Sequence, residues 1–482
     1  MKFCAIILFF FLANCSFSQV IKFNNNYQDT TPVIRNIVVL DSGYVFVGGG
    51  GSPVSILIMG DDTAGDFKWR KKISYSGYKI YHGGSNSLIN THDNGFVIAG
   101  GIESSTNYAS VVIRLNNTFD TIYVKKYFSG TIQNYFKNCV QDTDHGFSLI
   151  GTVAMGTTDS GLLLCKTDSS GNHLWDTTYG GSKFENGYKI VHTPSNGYLL
   201  GGQTLSFSNA SPINAGDWYL VQTDTAGNQL WQNYYGHPAY DDMGVNGLIA
   251  TKDSSFLVSG NFVRNNISTS YNNYNGHIIK FNKDMGIEWD RQYIISESVE
   301  FKTIIELEDG NIAVVFMQKD EFPEFPQEQY LSGLMKLDAS GNELWRKIYY
   351  PDNFDTSKTN FGILETVKQT PDGGFIMCGY NNKFGQPQQM WVVKTDSLGC
   401  DGYPPNCDTT IDISEQLFQI SDLNIFPNPA FDFVSISTSK NLQNAEIVIS
   451  DLFGKTVHEE TVERNTNHAK INVLHFPRGV YV

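Results

Sequence analysis

The sequence predicts an all-β fold built from a repeated four-stranded unit, and three observations carry that prediction. A turn followed by an aromatic or aliphatic strand start recurs seven times: "DSGY" at Asp41, "DNGF" at Asp93, "DHGF" at Asp144, "SNGY" at Ser195, "DSSF" at Asp253, "DGNI" at Asp309 and "DGGF" at Asp372. A second turn follows in every unit, on Asp62, Asn116, Asp168, Asp224, Asn282, Asp338 and Asp396, and an aromatic stands seven residues beyond each: Trp69, Tyr123, Trp175, Trp231, Trp289, Trp345 and Tyr403. Between the turns lie short apolar or alternating runs such as "GYLLGGQ", "GFVIAGG" and "WYLVQTD", rich in β-branched and aromatic residues and so read as strands. A four-stranded unit repeating at about 50 residues describes a propeller blade, and seven of them lie within the usual range. The predicted fold class is a seven-bladed β-propeller followed by a small β-sandwich-like domain.

Each element has a physical reason. An Asp or Asn side chain can bond the backbone two residues on, and Gly at the third position, as in Gly171, Gly227 and Gly341, accepts the positive φ of a tight hairpin. Phe119 and Met285 replace that glycine, so their turns are expected to differ in shape. The aromatic column opens each fourth strand, where a large ring fills the space between neighbouring sheets; this accounts for the aromatics without a cofactor. Unit seven is stopped at Tyr403 by Pro404-Pro405 and lacks a fourth strand. The spare strand Val20–Phe23 near the N-terminus is expected to supply it and leave no open edge.

The chain begins "MKFCAIILFFFLANCSFSQV": one Lys, an apolar run and then small residues. This reads as a secretory signal over residues 1–18, cleaved between Ser18 and Gln19 and too short to span a bilayer. Later apolar stretches are shorter than a transmembrane span. Residues 19–408 are assigned to the propeller, 409–421 to a linker and 422–482 to the C-terminal domain. Of the cysteines that follow the signal, Cys139, Cys165 and Cys378 sit in strand-like segments as buried free thiols, while Cys400 and Cys407 flank the turn-rich "DGYPPN" and read as a local disulfide.

The repeat "DGGF…CGY…WVVKTDSLG" resembles the β-propeller repeats of exported Bacteroidetes-type proteins. The last segment resembles the C-terminal sorting domain of type IX secretion cargo: Pro427-Asn428-Pro429 matches its "PNP", "DLFGKTV" with Gly454 its strand-turn, and Gly479-Val480-Tyr481 its "GxY". The resemblance implies handling by the type IX secretion machinery and a secreted or surface-attached protein. In that family a further strand follows "GxY", so the chain ending at Val482 is expected to be a fragment or impaired in sorting.

Function is less legible. A net charge of −15 opposes nucleic acid as a partner, and the single basic run, Arg70-Lys71-Lys72, reads as the solvated side of a strand. No metal-binding, phosphate-binding or nucleophile motif occurs, so neither a metal nor a cofactor is predicted. Loops joining second to third strands, and unit to unit, are the variable ones and share a face; the latter carry Tyr81, His82, Asn134, Tyr135, Glu185, His237, Tyr240, Asp241 and Asp242. These are the candidate ligand-binding residues, a mixture suited to glycans or cell-surface proteins; the competing reading is that the acidic ones cap strand ends. The predicted function is binding or adhesion. The alternative is an enzyme, either polysaccharide-degrading or a quinone-dependent dehydrogenase.

Overall fold

The computed structural model describes residues 21–27, 33–50, 54–130, 134–154, 159–207, 216–236, 243–263, 274–296, 298–320, 329–351, 360–383, 388–402, 424–426, 430, 432–442, 445–450, 456–462 and 466–476. The chain divides into two compact units, Met1–Cys407 and Asp408–Val482. Among the described residues no helix is long and apolar enough to cross a membrane.

The first unit is built of four-stranded antiparallel meanders; those of repeats 6 and 7 are joined into one eight-stranded sheet by a short parallel pairing, Gln329 opposite Asn360 and Tyr330 opposite Phe361. Repeat 3 is representative: Tyr135–Gln141, Phe147–Ala154, Ser160–Thr167 and His173–Tyr179 pair in succession. In repeat 2 the first strand is interrupted, with Lys79–His82 and Leu88–Asn90 both pairing with the second strand Phe96–Glu103. The three C-terminal strands Asn360–Gln369, Phe375–Lys383 and Gln389–Thr395 receive their fourth from the chain's start: Phe23–Tyr27 pairs antiparallel with the last of them, Phe23 opposite Lys394 and Tyr27 opposite Met390. The N-terminal strand therefore lies at 23–27 instead of 20–23. Its centre is Asn24-Asn25-Asn26, a composition depleted in strands. Asn24 fits because its side chain is buried and bonded, accepting from the Trp391 indole at 2.7 Å and donating to the Tyr350 carbonyl at 2.9 Å.

Buried side chains fall into clusters, each shared by two consecutive repeats. Ile150, Leu162 and Leu164 of repeat 3 meet Tyr198, Leu200 and Val221 of repeat 4, and Phe23, Ile376 and Val392 of the last repeat meet Ile34, Tyr44 and Met59 of the first. The aromatic column runs along these seams. The ring of Trp175 lies over Gly227, Trp289 over Gly341, Trp345 over Gly399 and Tyr123 over Gly171, each against the turn glycine of the next repeat, close enough that a Cβ there would lie 2.8 to 3.0 Å from the ring or hydroxyl. Phe23, opposite Lys394 in the same register as Trp175 opposite Lys166, lies over Gly65 in the same way. Tyr403, which spacing alone placed in the column, lies outside the described residues.

A tyrosine four residues after the column aromatic adds a hydrogen bond across the same seam. Tyr127 donates to the Gly171 carbonyl at 2.6 Å, Tyr179 to Gly227 at 2.6 Å, Tyr293 to Gly341 at 2.7 Å, Tyr349 to Gly399 at 3.0 Å, and Tyr27 to Gly65 at 2.8 Å.

The second turns form as expected. Asp168 Oδ1 accepts from the backbone N–H of Ser170 at 2.9 Å and of Asn172 at 2.7 Å, and Gly171 takes φ +72°. The turns at Phe119 and Met285 do not differ from this form, contrary to the expectation from their side chains: both hold φ near +60°, at 62° and 64°, with the same backbone bonds. A left-handed non-glycine residue costs about 1–2 kcal/mol. Burial offsets it, since Phe119 stacks on Phe96 at 4.2 Å and Met285 is buried in the seam that holds Trp231.

A third-strand base pairs with the first-turn Asp within each of five repeats: Arg114–Asp93, Lys166–Asp144, Lys280–Asp253, Lys336–Asp309 and Lys394–Asp372. Where the base position is Gln222, the turn position is Ser195.

In the second compact unit, Asn424–Phe426, Phe433–Leu442 and Thr466–Asn472 form one sheet, and Ala445–Ser450 with Thr456–Val462 another. Pro427-Asn428-Pro429, Gly454, Gly479 and Tyr481 lie outside the described residues, as do Ser18 and Gln19.

Candidate ligand-binding site

The first strands of all seven repeats converge on one cavity of about 470 Å³, to which each contributes lining residues. Five of these strands share a defect. Pairing with the second strand skips a residue between Ile34 and Asn36, Phe136 and Asn138, Gly187 and Lys189, Phe301 and Thr303, and Leu364 and Thr366. The bulged residues are Arg35, Lys137, Tyr188, Lys302 and Glu365. A bulge re-aims a side chain out of the ladder, and recurrence at one level gathers these five into a layer. In repeat 2 the same level is occupied by the segment between the two half-strands. There Gly84 donates its N–H to the Lys137 carbonyl at 2.9 Å, Ser85 accepts from Lys189 Nζ at 2.6 Å, and Asn86 accepts from Thr366 Oγ1 at 3.3 Å. Ser85-Asn86 thus bonds to residues of repeats 4 and 7.

The layer is cationic on an acidic chain. At the bulges and beside them stand Arg35, Lys137, Lys189, Lys302 and Lys368 against Glu300 and Glu365. Arg35 pairs with Glu365 at 3.5 Å and Lys302 with Glu300 at 2.7 Å. Lys137 has no carboxylate partner among the described residues; its ammonium lies 5.4 Å over the Tyr135 ring. Burial lowers the Lys137 pKa, with nearby Arg35 adding to the effect.

Of the sequence-predicted residues, the structure brings three to this layer. Tyr81 and Tyr135 meet edge to face at 6.5 Å, and Tyr81 donates to Glu103 at 3.1 Å. The Tyr81 phenol is pushed up to about 12 by burial and by Glu103, so it stays protonated. His82 sits beside them with its pKa lowered to about 4, chiefly by burial and then by Arg35, and is therefore neutral at physiological pH. Its Nδ1 is buried without a hydrogen-bond partner among the described residues. Asn134 is spent locally, donating to the Phe128 carbonyl at 2.9 Å and accepting from Ala154 N–H at 2.9 Å. Glu185 is fully buried, and its carboxylate accepts from Gly181 N–H at 3.0 Å, Thr204 Oγ1 at 2.9 Å and Ser206 N–H at 3.1 Å, the geometry of a strand-end cap. His237, Tyr240, Asp241 and Asp242 lie outside the described residues.

The sequence reading did not single out Arg35, Lys137, Lys189 or Lys368. The available signal was a charged or polar residue about nine positions before each first-turn aromatic, inside an otherwise apolar strand. An aromatic surface with cations above it and a neutral imidazole can take the apolar face of a sugar ring and the carboxylate or sulfate of an acidic one.

Residues 424–482 match the secretion system C-terminal sorting domain family. The segment is a type IX sorting domain, and the protein is handled by the type IX secretion machinery and secreted or attached to the cell surface. A comparison with curated proteins finds no match. Among solved structures, the chain is similar to the PL25 ulvan lyase, a polysaccharide lyase, at 10% identity: 78% of this chain and 96% of the other align with TM-scores of 0.51 and, in a complex with a GlcA–Rha saccharide, 0.50. It is also similar to the polysaccharide lyase Uly1 at 9% identity, TM-score 0.45, over 77% of this chain and 91% of that one. The likeness to the PL25 ulvan lyase concerns the fold, which is all-β, repetitive and propeller-like.

Proposed function

We propose that this secreted, propeller-like protein is a seven-bladed ring closed by its N-terminal strand, and that it binds acidic glycans at the bulge layer. The ring reading is supported by the seam between last and first repeats, where Phe23 over Gly65 and Tyr27 bonded to the Gly65 carbonyl repeat the contacts of the interior seams. The binding reading rests on one observation: Lys137, without a carboxylate partner among the described residues, stands with Arg35 beside Tyr81, Tyr135 and a neutral His82 on a chain of net charge −15. A locally cationic patch on an acidic protein attracts anions that the rest of the surface repels.

A polysaccharide lyase is the second reading, favoured by the same cations and by the acidic GlcA in the ligand of one similar structure. Elimination from a uronate needs a base near the working pH, and an imidazole held to about 4 is a weak one. Binding is therefore preferred. Cys400 and Cys407 are read as a disulfide because the protein is exported and only a short turn-rich segment separates them. Non-reducing peptide mapping that returns two free thiols would remove that reading.

The test is a glycan array with the intact protein and an Arg35→Gln/Lys137→Gln variant. Acidic glycans should bind the former and not the latter, at unchanged melting temperature. Equal binding by the variant, or a preference for neutral glycans, refutes the proposal; unsaturated products absorbing in the ultraviolet would replace it with the lyase.

A further inference from the structure

The 470 Å³ cavity is lined by Asn86 and by residues that follow the bulges along their strands, Asn138, Lys189 and Thr303 among them. Its lining includes Val39, Asn90, Val140, Ile249 and Gln369 at the ends of first strands, next to the first turns, and none of Arg35, Lys137, Lys302 or Glu365. Its volume is that of a small-molecule site.

Its chemistry is one-sided. Two lysines line it, Lys189 and Lys368, and no carboxylate does among the described residues. Lys189 is buried and donates one of its N–H groups to the Ser85 carbonyl at 2.6 Å, which leaves two. Lys368 has no hydrogen bond or ion pair among the described residues. Asn86 holds a left-handed backbone, φ 64°, and its Oδ1 accepts from Thr366 Oγ1, so its amide N–H groups are turned away from Thr366. Burial lowers the pKa of both lysines, that of Lys189 to about 8. Two partly desolvated ammonium groups face one cavity with only Glu365, near Lys189, to offset them, and an anion entering the cavity would stabilise both.

We propose that this cavity binds a small organic anion, its carboxylate, sulfate or phosphate group held by the ammonium groups of Lys189 and Lys368 and the amide of Asn86. The apolar walls, Ile37, Leu88, Ile190 and Leu248 among them, take the body of the molecule. The inference does not depend on the glycan reading, which rests on Arg35 and Lys137, neither of which lines the cavity.

Calorimetric titration of the full chain with sodium glucuronate, sulfate and phosphate, at constant ionic strength against chloride, tests it. Glucuronate should bind more tightly than the two inorganic ions. Lys368→Gln should weaken it at least tenfold without changing the melting temperature in chloride, while Arg35→Gln/Lys137→Gln should leave it intact. Binding should also weaken as pH rises through 8, where Lys189, faced by Glu365, Arg35 and Lys368, loses its proton. Lys189→Met is a second variant; if it does not fold, Lys368→Gln decides alone. The proposal is overturned if none of the three probes binds, if only an inorganic ion binds, if Lys368→Gln binds like the parent, or if loss follows the Arg35/Lys137 variant instead.

Discussion

If the last repeat meets the first as any repeat meets the next, breaking that seam and breaking an interior one should cost the same. Tyr27→Phe and Tyr179→Phe remove the same hydroxyl, which donates to the Gly65 carbonyl at 2.8 Å in one case and to the Gly227 carbonyl at 2.6 Å in the other. Neither substitution opens a cavity. Each leaves a seam carbonyl without that donor, a loss of about 1–3 kcal/mol. At about 2 cal/mol/K of unfolding entropy per residue, a cooperative unit of this size loses on the order of 1–4 °C. Asp61 Oδ2 lies within reach of the same hydroxyl and shares its single proton with the Gly65 carbonyl, so the Tyr27 variant should fall within that same range. Paired calorimetric melts of the two variants provide the measurement. Should Tyr179→Phe melt early while Tyr27→Phe melts with the parent, the N-terminal strand is not seated in solution and the closed ring is wrong. Deleting residues 19–25 should be worse than either point change, because it also uncovers the edge of Gln389–Thr395.

Three further outcomes follow. The Asp61 carboxyl is pushed up to about 6, chiefly by burial, above its unfolded value near 4; folding therefore favours its protonated form, stability gains from it as pH falls from 6 toward 4, and Asp61→Asn should remove that gain in melts at pH 7 and 5. Glu185→Ala should lose about 2–3 kcal/mol by uncapping Gly181, Thr204 and Ser206 while leaving glycan binding unchanged, and loss of binding at full stability would return Glu185 to the site. Gly171→Ala combines φ +72° with a Cβ 2.8 Å from the Tyr123 hydroxyl, so it should cost about 1–2 kcal/mol or more in chemical denaturation, and a neutral result would show that the turn relaxes freely.

Local chemistry made much of the fold legible. An Asx residue bonding its own backbone leaves the same short string in every repeat, and a ring that must cover the next repeat's turn leaves an aromatic at fixed spacing. The seam tyrosines were visible as strings such as "TTYGG" yet carried no assignment, because their acceptor is a carbonyl roughly one repeat away and carbonyls have no sequence signature. The strand at 23–27 was placed early because Asn24-Asn25-Asn26 counts against a strand until Trp391 and Tyr350 are known to receive it. Among the candidate residues, Tyr81, His82 and Tyr135 were selected for their position in connecting segments, and they stand beside the bulge layer. Arg35 and Lys137 were not, since a bulge is a one-residue excess that appears only once strands are registered. Glu185 was selected as an exposed acid and is an internal cap, a distinction that depends on where Thr204 and Ser206 fold back.

The positions of the three free thiols among the described residues set an order of events for this exported chain. Cys139 lies opposite Leu149, which lies opposite Cys165, so the two sulfur-bearing residues are two strands apart, about 10 Å, and beyond the reach of a bridge in the finished sheet. Cys378 belongs to the seam between last and first repeats, remote from both. Burial pushes Cys139 and Cys165 up to about 12 and raises Cys378 as well, so the folded protein presents almost no thiolate to an oxidant. An oxidant that arrives before the sheets form meets the same thiols at ordinary reactivity, and any bond it makes between them is incompatible with the native register. Sheet formation thus has to outrun oxidation, and refolding with reductant kept until the strands have re-formed should recover more native protein than refolding in an oxidising buffer from the start.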